Sequence, residues 1–76
     1  MKEVNCLGMR CPIPIIECAK VLRTVKVGDS IILISDDPAT YPDLKAWSRM
    51  TGNAVSTLDL HKFLITRQNQ MKAGGE

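Results

Sequence analysis

The sequence predicts an α+β fold: a two-layer α/β sandwich, β-α-β-α-β-β, in which a four-stranded mixed sheet carries both helices on one face. Three observations lead there. Strand-like and helix-like patterns follow one another in the order strand, helix, strand, helix, strand, strand. The first strand–helix–strand unit is expected to close as a right-handed parallel crossover. The last two strands are separated only by a tight turn near Leu60-His61, which makes them an antiparallel hairpin. A mixed sheet follows, and two amphipathic helices suffice to cover one of its faces.

The elements can be justified in order. Lys2 to Cys6 is a short strand with Val4 and Cys6 on one face. Leu7 to Arg10 is a turn, and Gly8 suits a position with unusual backbone angles. The first helix runs from Pro12 to about Val25, with Ile15, Cys18, Ala19, Leu22 and Val25 as its inward stripe and Glu17, Lys20 and Arg23 on the wet side. After a turn at Lys26 to Asp29, Ser30 to Ser35 is a continuous apolar run, as expected of a central strand covered on both faces or nearly so. Asp36-Asp37-Pro38 ends it. Thr40 reads as the N-cap of a second helix, with Pro42 in the first turn and Asp43 reaching back. Leu44, Trp47 and Met50 point inward from this helix, and Gly52 stops it. Ala54 to Asp59 and Lys62 to Arg67 form the hairpin. Residues 1–67 make one domain, and residues 68–76, polar and glycine-tipped, make a flexible tail.

Composition narrows the function. A chain of 76 residues buries only about 60% of the surface its unfolded form exposes, so one small core is all it can build. The charge of +2 comes without a run of Lys or Arg, which argues against direct nucleic-acid binding. No stretch is long enough to span a bilayer, and the first residues lack a signal-peptide core, so a cytoplasmic location is expected. Cys6, Cys11 and Cys18 are odd in number and lack a CxxC spacing. In a reducing compartment they are thiols, and their spacing with His61 fits no usual zinc site. Neither a metal nor a cofactor is implied.

Cys11 stands out. In the run Leu7-Gly8-Met9-Arg10-Cys11-Pro12-Ile13-Pro14 it precedes two prolines and a helical pattern. Proline is tolerated in a first helical turn, where backbone N–H groups have no intrahelical partner. The run therefore puts Cys11 at the N-cap, with Pro12 and Pro14 in the first turn. There the helix dipole, the Ile13 N–H and the neighbouring Arg10 all favour thiolate over thiol. No histidine and carboxylate stand ready as a general base, and the domain is too small for a deep pocket. Thiol exchange remains: an exposed thiolate takes the outer sulfur of a donor and yields it to the next thiol.

From about Val4 to Arg67 the chain resembles the TusA (SirA-like) sulfur-carrier proteins. The resemblance rests on the CPxP motif Cys11-Pro12-Ile13-Pro14, on Ser35-Asp36-Asp37-Pro38-Ala39-Thr40, and on Trp47 with Thr51-Gly52-Asn53. It implies the same sandwich. It also implies that Cys11 carries sulfur as a persulfide, or as a thiosulfonate in sulfur oxidisers. Implied donors are cysteine desulfurases or rhodanese-like proteins. Implied acceptors are small sulfur-relay proteins leading to tRNA thiolation, molybdenum-cofactor synthesis or sulfur oxidation. Such a sulfurtransferase-type carrier works with partner enzymes rather than alone. The chain departs from the family pattern at Asn5, where an acidic residue is usual, at the apolar Ile13, and in a short hairpin.

The site expected from these readings is Cys11, supported by Gly8, Arg10, Pro12, Ile13 and Pro14, with Cys6 as a candidate second thiol that would resolve an oxidised Cys11. Arg10, Lys45 and Arg49 are candidates for docking an acidic partner. Two rivals to the carrier stay open: a regulatory interaction module using Cys11 as a redox switch, and an autonomous sulfurtransferase acting on thiosulfate.

Overall fold

A computed structural model describes residues 2–10 and 12–68. Its elements are β1 (Lys2–Asn5), α1 (Ile13–Leu22), β2 (Ser30–Ile34), α2 (Thr40–Thr51), β3 (Ala54–Asp59) and β4 (Lys62–Thr66). The strands form one sheet in the order β1-β2-β4-β3. β1 pairs parallel with β2, whereas β2–β4 and β3–β4 are antiparallel. The expected element order and mixed sheet are both present.

Register explains which face is buried. Val4 lies beside Leu33, Leu33 beside Phe63, and Ile31 beside Ile65, so these five share one face of the pleat. They are buried in a single cluster with Cys6, Cys18, Leu22 and Leu44. Strand and helix residues thus meet on one side, with α1 and α2 forming the second layer. The opposite face holds Glu3, Ile32, Leu64 and Ser56 in register. Ile32, Ile34 and Leu64 are only half-buried there. β2 was expected to be covered on both faces or nearly so. Among the described residues, no helix or further strand is laid over the second face.

Helix α1 buries Pro14, Cys18 and Leu22. Steps of four residues drift only about 40° around a helix, so the three form one stripe. The helix stops at Leu22 rather than Val25. There Thr24 N–H donates to the Val21 carbonyl at 2.9 Å and Val25 N–H to the Leu22 carbonyl at 3.3 Å, a tightened last turn. The Arg67 guanidinium donates to the Val25 carbonyl at 2.6 Å, a cation placed where the helix dipole is negative.

Helix α2 corrects two expectations. Its N-cap is Ala39, not Thr40. Asp37 organises the entry by accepting the Ala39 N–H at 2.9 Å, while the buried Thr40 hydroxyl pairs with Ser35 Oγ at 2.6 Å. Leu44 is buried and Trp47 packs at the core's edge, but Met50 is 80% exposed. Each step of three residues falls about 60° short of a full turn, so the second step carries Met50 off the inward stripe. Gly52 ends the helix in the left-handed region at φ 79°, as expected.

The hairpin turns at Leu60-His61, where Asp59 Oδ1 accepts the Leu60 N–H at 2.7 Å. The register slips between Thr57 and Asp59. The predicted tail from residue 69 onward lies outside the described residues. Gln68, also assigned to that tail, donates its N–H to Asn53 Oδ1 at 2.9 Å.

Candidate functional site

The C-terminal ends of β1 and β2 and the β3–β4 turn lie at one end of the sheet, because Asn5 pairs with Ile34 and Ile34 with Lys62. The segment carrying the cysteine–proline run leaves from this end. Three hydrogen bonds shape it. Asn5 Oδ1 accepts the Leu7 N–H at 3.1 Å. The Cys6 carbonyl accepts the Met9 N–H at 3.0 Å, closing a four-residue turn. Asp36 Oδ1 accepts the Gly8 N–H at 3.0 Å and ties this loop to the one after β2. Asn5 therefore supplies an acceptor for the loop through its amide oxygen, with no carboxylate required.

Gly8 is at the third position of that turn with φ 80°. No non-glycine residue has positive φ among those described, so Leu7 keeps the ordinary sign and the turn is of type II. A Cβ at Gly8 would meet nothing within 4 Å, so the constraint is backbone conformation and not space. Gly8→Ala is expected to lower stability by about 1–2 kcal/mol in urea denaturation. Gly8→Asn should cost less, because asparagine tolerates the left-handed region; equal costs for both would show that conformation is not the cause.

The start of α1 differs from expectation. Pro12, with φ −93° and ψ 13°, is the N-cap, and Pro14 is the second helical residue. The Ile13 N–H, expected to face a sulfur at position 11, donates to the Arg10 carbonyl at 2.9 Å. The Arg10 carbonyl thus takes the donor that a cap at position 11 would have used. Cys11 itself lies outside the described residues. Of its predicted supports, Gly8, Arg10, Pro12 and Ile13 are exposed and Pro14 is buried. Leu7, Met9, Ile13 and Ile16 give this end an exposed apolar collar.

The other two thiols are in the core. Cys6 is 1% exposed and Cys18 0%. Burial raises the Cys6 thiol above its ordinary pKa of 9.0, and the Glu17 carboxylate raises it further. Burial, with a smaller contribution from Cys6, pushes Cys18 up to about 12. Both sulfurs are therefore held as neutral thiols near neutral pH. The Cys18 shift has a consequence for stability. Below pH 9 the folded and unfolded chains both keep this proton, and the stabilising effect is fully present. Between pH 9 and about 12 the unfolded chain releases the proton and the folded one does not, so stability falls. The loss reaches about 4 kcal/mol across that window at 1.36 kcal/mol per unit. Thermal melts from pH 8 to 11 should show Cys18→Ala losing stability less steeply than the parent chain; parallel slopes would contradict the assignment.

An open cleft of about 390 Å³ lies beside the loop, lined by Gly8, Met9, Arg10, Asp36, Asp37 and Pro38. Lys45 and Arg49 are not among its walls. They line a separate cleft of about 400 Å³ with Tyr41, Ser48 and Val55, where Lys45 Nζ sits 5.6 Å from the Tyr41 ring centre. His61, read as a turn residue, is one, and its carbonyl accepts the Ser35 N–H at 2.9 Å. Sequence reasoning missed the part of Asp36 in shaping the loop. It read the residue as a turn former, and a contact across 28 positions leaves no local signal. Among the described residues, no helix is long and apolar enough to cross a membrane.

Comparison with known proteins agrees with this architecture. A family model described as Sulfurtransferase TusA matches residues 2–67. A protein of Archaeoglobus fulgidus with the provisional name sulfur carrier protein is 35% identical over 55 residues, which is 72% of this chain and 71% of that one. The crystal structure of a SirA-like protein from Desulfitobacterium hafniense superposes with a TM-score of 0.76 at 23% identity, covering 91% of this chain and all of that one. This last likeness shows the shared sandwich fold.

Proposed function

Since the chain belongs to the TusA sulfur-carrier family, we propose that it accepts sulfane sulfur on Cys11 as a persulfide and passes it to an acceptor protein. One observation carries the assignment to this residue. Of three cysteines, Cys6 and Cys18 are buried and held protonated, which leaves Cys11 for sulfur chemistry. The neighbouring residues support it. Arg10, Pro12 and Ile13 are exposed, and the nearby cleft is open, as suits a thiol that must meet protein partners.

The reaction is exchange without net oxidation. The Cys11 thiolate attacks the outer sulfur of a donor persulfide. A bond forms between the two sulfurs, the donor's sulfur–sulfur bond breaks, and the electron pair leaves with the donor thiolate. An acceptor thiolate then repeats the step on the sulfur carried by Cys11. The positive charge of Arg10, the preceding residue in sequence, is of the sign that favours an anionic sulfur at position 11. The donor is a cysteine desulfurase or a rhodanese-like protein, and the acceptor a small sulfur-relay protein in the cytoplasm. Acceptors of this kind lead to tRNA thiolation, molybdenum-cofactor synthesis or, with a thiosulfonate on Cys11, sulfur oxidation.

The test is an intact mass after incubation of the reduced chain with a cysteine desulfurase and cysteine, and separately with thiosulfate or tetrathionate. A reducible gain of one sulfur, or of one thiosulfonate group, is expected. No adduct with any donor, or only the loss of two hydrogens as Cys6 and Cys11 pair, would replace this reading with the redox switch. Steady turnover of thiosulfate by the chain alone would favour the autonomous enzyme.

A further inference from the structure

We propose that the outer edge of β3, with the basic cleft beside it, binds an extended acidic segment of a partner protein, which adds to the sheet as a further strand. The proposal goes beyond the carrier reading. It concerns the edge opposite β1 and involves no sulfur chemistry.

The register identifies the backbone groups left at that edge. The Arg67 N–H donates to the Asp29 carbonyl at 2.9 Å, and the Arg67 carbonyl accepts the Gly28 N–H at 2.6 Å. Both backbone groups of Arg67 thus point to the β2 side of β4. In an antiparallel ladder this direction alternates from residue to residue. Ile65 and Phe63 therefore bond to β2, whereas Thr66 and Leu64 bond to β3, where they face Ala54 and Ser56. Val55 and Thr57 turn their N–H and C=O groups to the open edge. Among the described residues nothing pairs with these groups. The edge is also poorly guarded. β1, at the other edge, carries the charges of Lys2 and Glu3. Residues 54–57 of β3 have no charge and no proline. The register slip after Thr57 confines a further strand to this stretch.

The side chains of Val55 and Thr57 lie on the helix-covered face, because they stand beside Ile65 and Phe63 of the core. Next to Val55 is the cleft of about 400 Å³ walled by Tyr41, Lys45, Ser48 and Arg49 of α2. Its walls are held in place. Ser48 Oγ donates to the Asn53 carbonyl at 2.5 Å, and the Tyr41 ring stacks on Phe63 with 6.1 Å between ring centres. Lys45 and Arg49 are exposed, and among the described residues neither has a carboxylate partner. They sit one helical turn apart, about 6 Å along the axis. Alternate side chains of an extended strand repeat at about 6.8 Å on one face. A strand laid along β3 with acids at every second position therefore offers carboxylates at nearly the spacing of the two cations. Its main chain takes the open groups of Val55 and Thr57.

Two other occupants fit less well. A second copy paired antiparallel through β3 would bring the Lys45 and Arg49 of both chains together on one face, a like-charge contact. Residues 69–76 of this chain include Lys72 and one acid, Glu76, and so hold no alternating acids.

The experiment titrates fluorescein-labelled, capped peptides with the full chain and reads fluorescence anisotropy. The probe alternates Glu with Val, and its controls replace Glu by Gln or by Lys. The Glu peptide should bind about tenfold more tightly than the Gln peptide, the product of two exposed charge contacts, and the Lys peptide more weakly than either. Lys45→Gln and Arg49→Gln should each weaken the Glu peptide by about threefold and leave the Gln peptide unchanged; both side chains are exposed, so the core is untouched. Methyl groups on one alternating set of peptide amides should abolish binding, and those on the other set should be tolerated, because only one edge of an added strand faces β3. Amide exchange at Val55 and Thr57 should slow on saturation. Equal binding of the Glu and Gln peptides, equal effects of the two methylation patterns, or no binding of any peptide would overturn the proposal. A dimer in analytical ultracentrifugation with the Val55 and Thr57 amides protected before peptide is added would also overturn it, giving the edge to a second copy. Each of these failures leaves the carrier reading intact, since no sulfur is transferred.

Discussion

Cys11→Ser is expected to abolish sulfur loading completely while leaving the melting temperature unchanged. The substitution keeps the size of the side chain but removes the atom that forms the sulfur–sulfur bond, and a hydroxyl is not acidic enough to replace it near neutral pH. Stability should not move, because Arg10, Pro12 and Ile13, the residues that flank position 11 in sequence, are all exposed. Cys18→Ser is the matched control with the opposite outcome. It places a hydroxyl at a site that is 0% exposed, so about 1–3 kcal/mol of stability should be lost unless a partner is found, while loading persists. Intact mass and circular dichroism on the same samples separate the two effects. An adduct that survives in Cys11→Ser, reducible and of one sulfur, would sink the assignment of the carrier residue.

The largest effect on stability is expected from Leu33→Ala. Leu33 is 0% exposed and occupies the middle of the central strand, beside Val4 on β1 and Phe63 on β4. Its side chain packs where three strands meet under the helices. Truncation of a buried leucine costs about 2–5 kcal/mol, through lost transfer energy and the cavity left behind. Domains of this size hold only about 0.05–0.15 kcal/mol per residue, so a large share of the total would go. In urea the midpoint should fall by half or more, with the slope of the transition unchanged. Ile32, the next residue on the same strand, faces the uncovered side and is half-buried. Ile32→Ala should cost clearly less. Equal costs would contradict a core confined to one face of the sheet.

The two substitutions bear on different parts of what the sequence made legible. The alternation of patterns identified every element, and Gly52 and the Leu60-His61 turn were found in place because each rests on one local rule. The helix starts were less legible. At Pro12 and Ala39 the ends were decided by hydrogen bonds that compete with capping, from Ile13 N–H to Arg10 and from Thr40 to Ser35. Both bonds satisfy the same groups that a cap would have used, and residue type alone does not rank the alternatives. Met50 was placed inward because a spacing of three was extended one step too far. For the site, the cysteine–proline run singled out Cys11, but the cleft beside it joins residues 8–10 to residues 36–38. That juxtaposition is made by the parallel pairing of β1 with β2, which brings the ends of two strands together from distant parts of the chain.

The sheet order also ranks the backbone by how easily it opens. Among the described residues, β2 and β4 are bonded on both sides, while β1 pairs with β2 alone. Amide exchange with deuterated solvent should therefore be slowest along β2 and β4, and faster at β1 and the loop that follows it. The loop leading to Cys11 hangs from this edge strand, held to β2 by the bond from Cys6 N–H to the Ile34 carbonyl at 2.7 Å. Release of this loop would require that bond, the bond from Gly8 N–H to Asp36 Oδ1 and the burial of Val4 and Cys6 all to be given up, so exchange at β1 reports how firmly the loop is held.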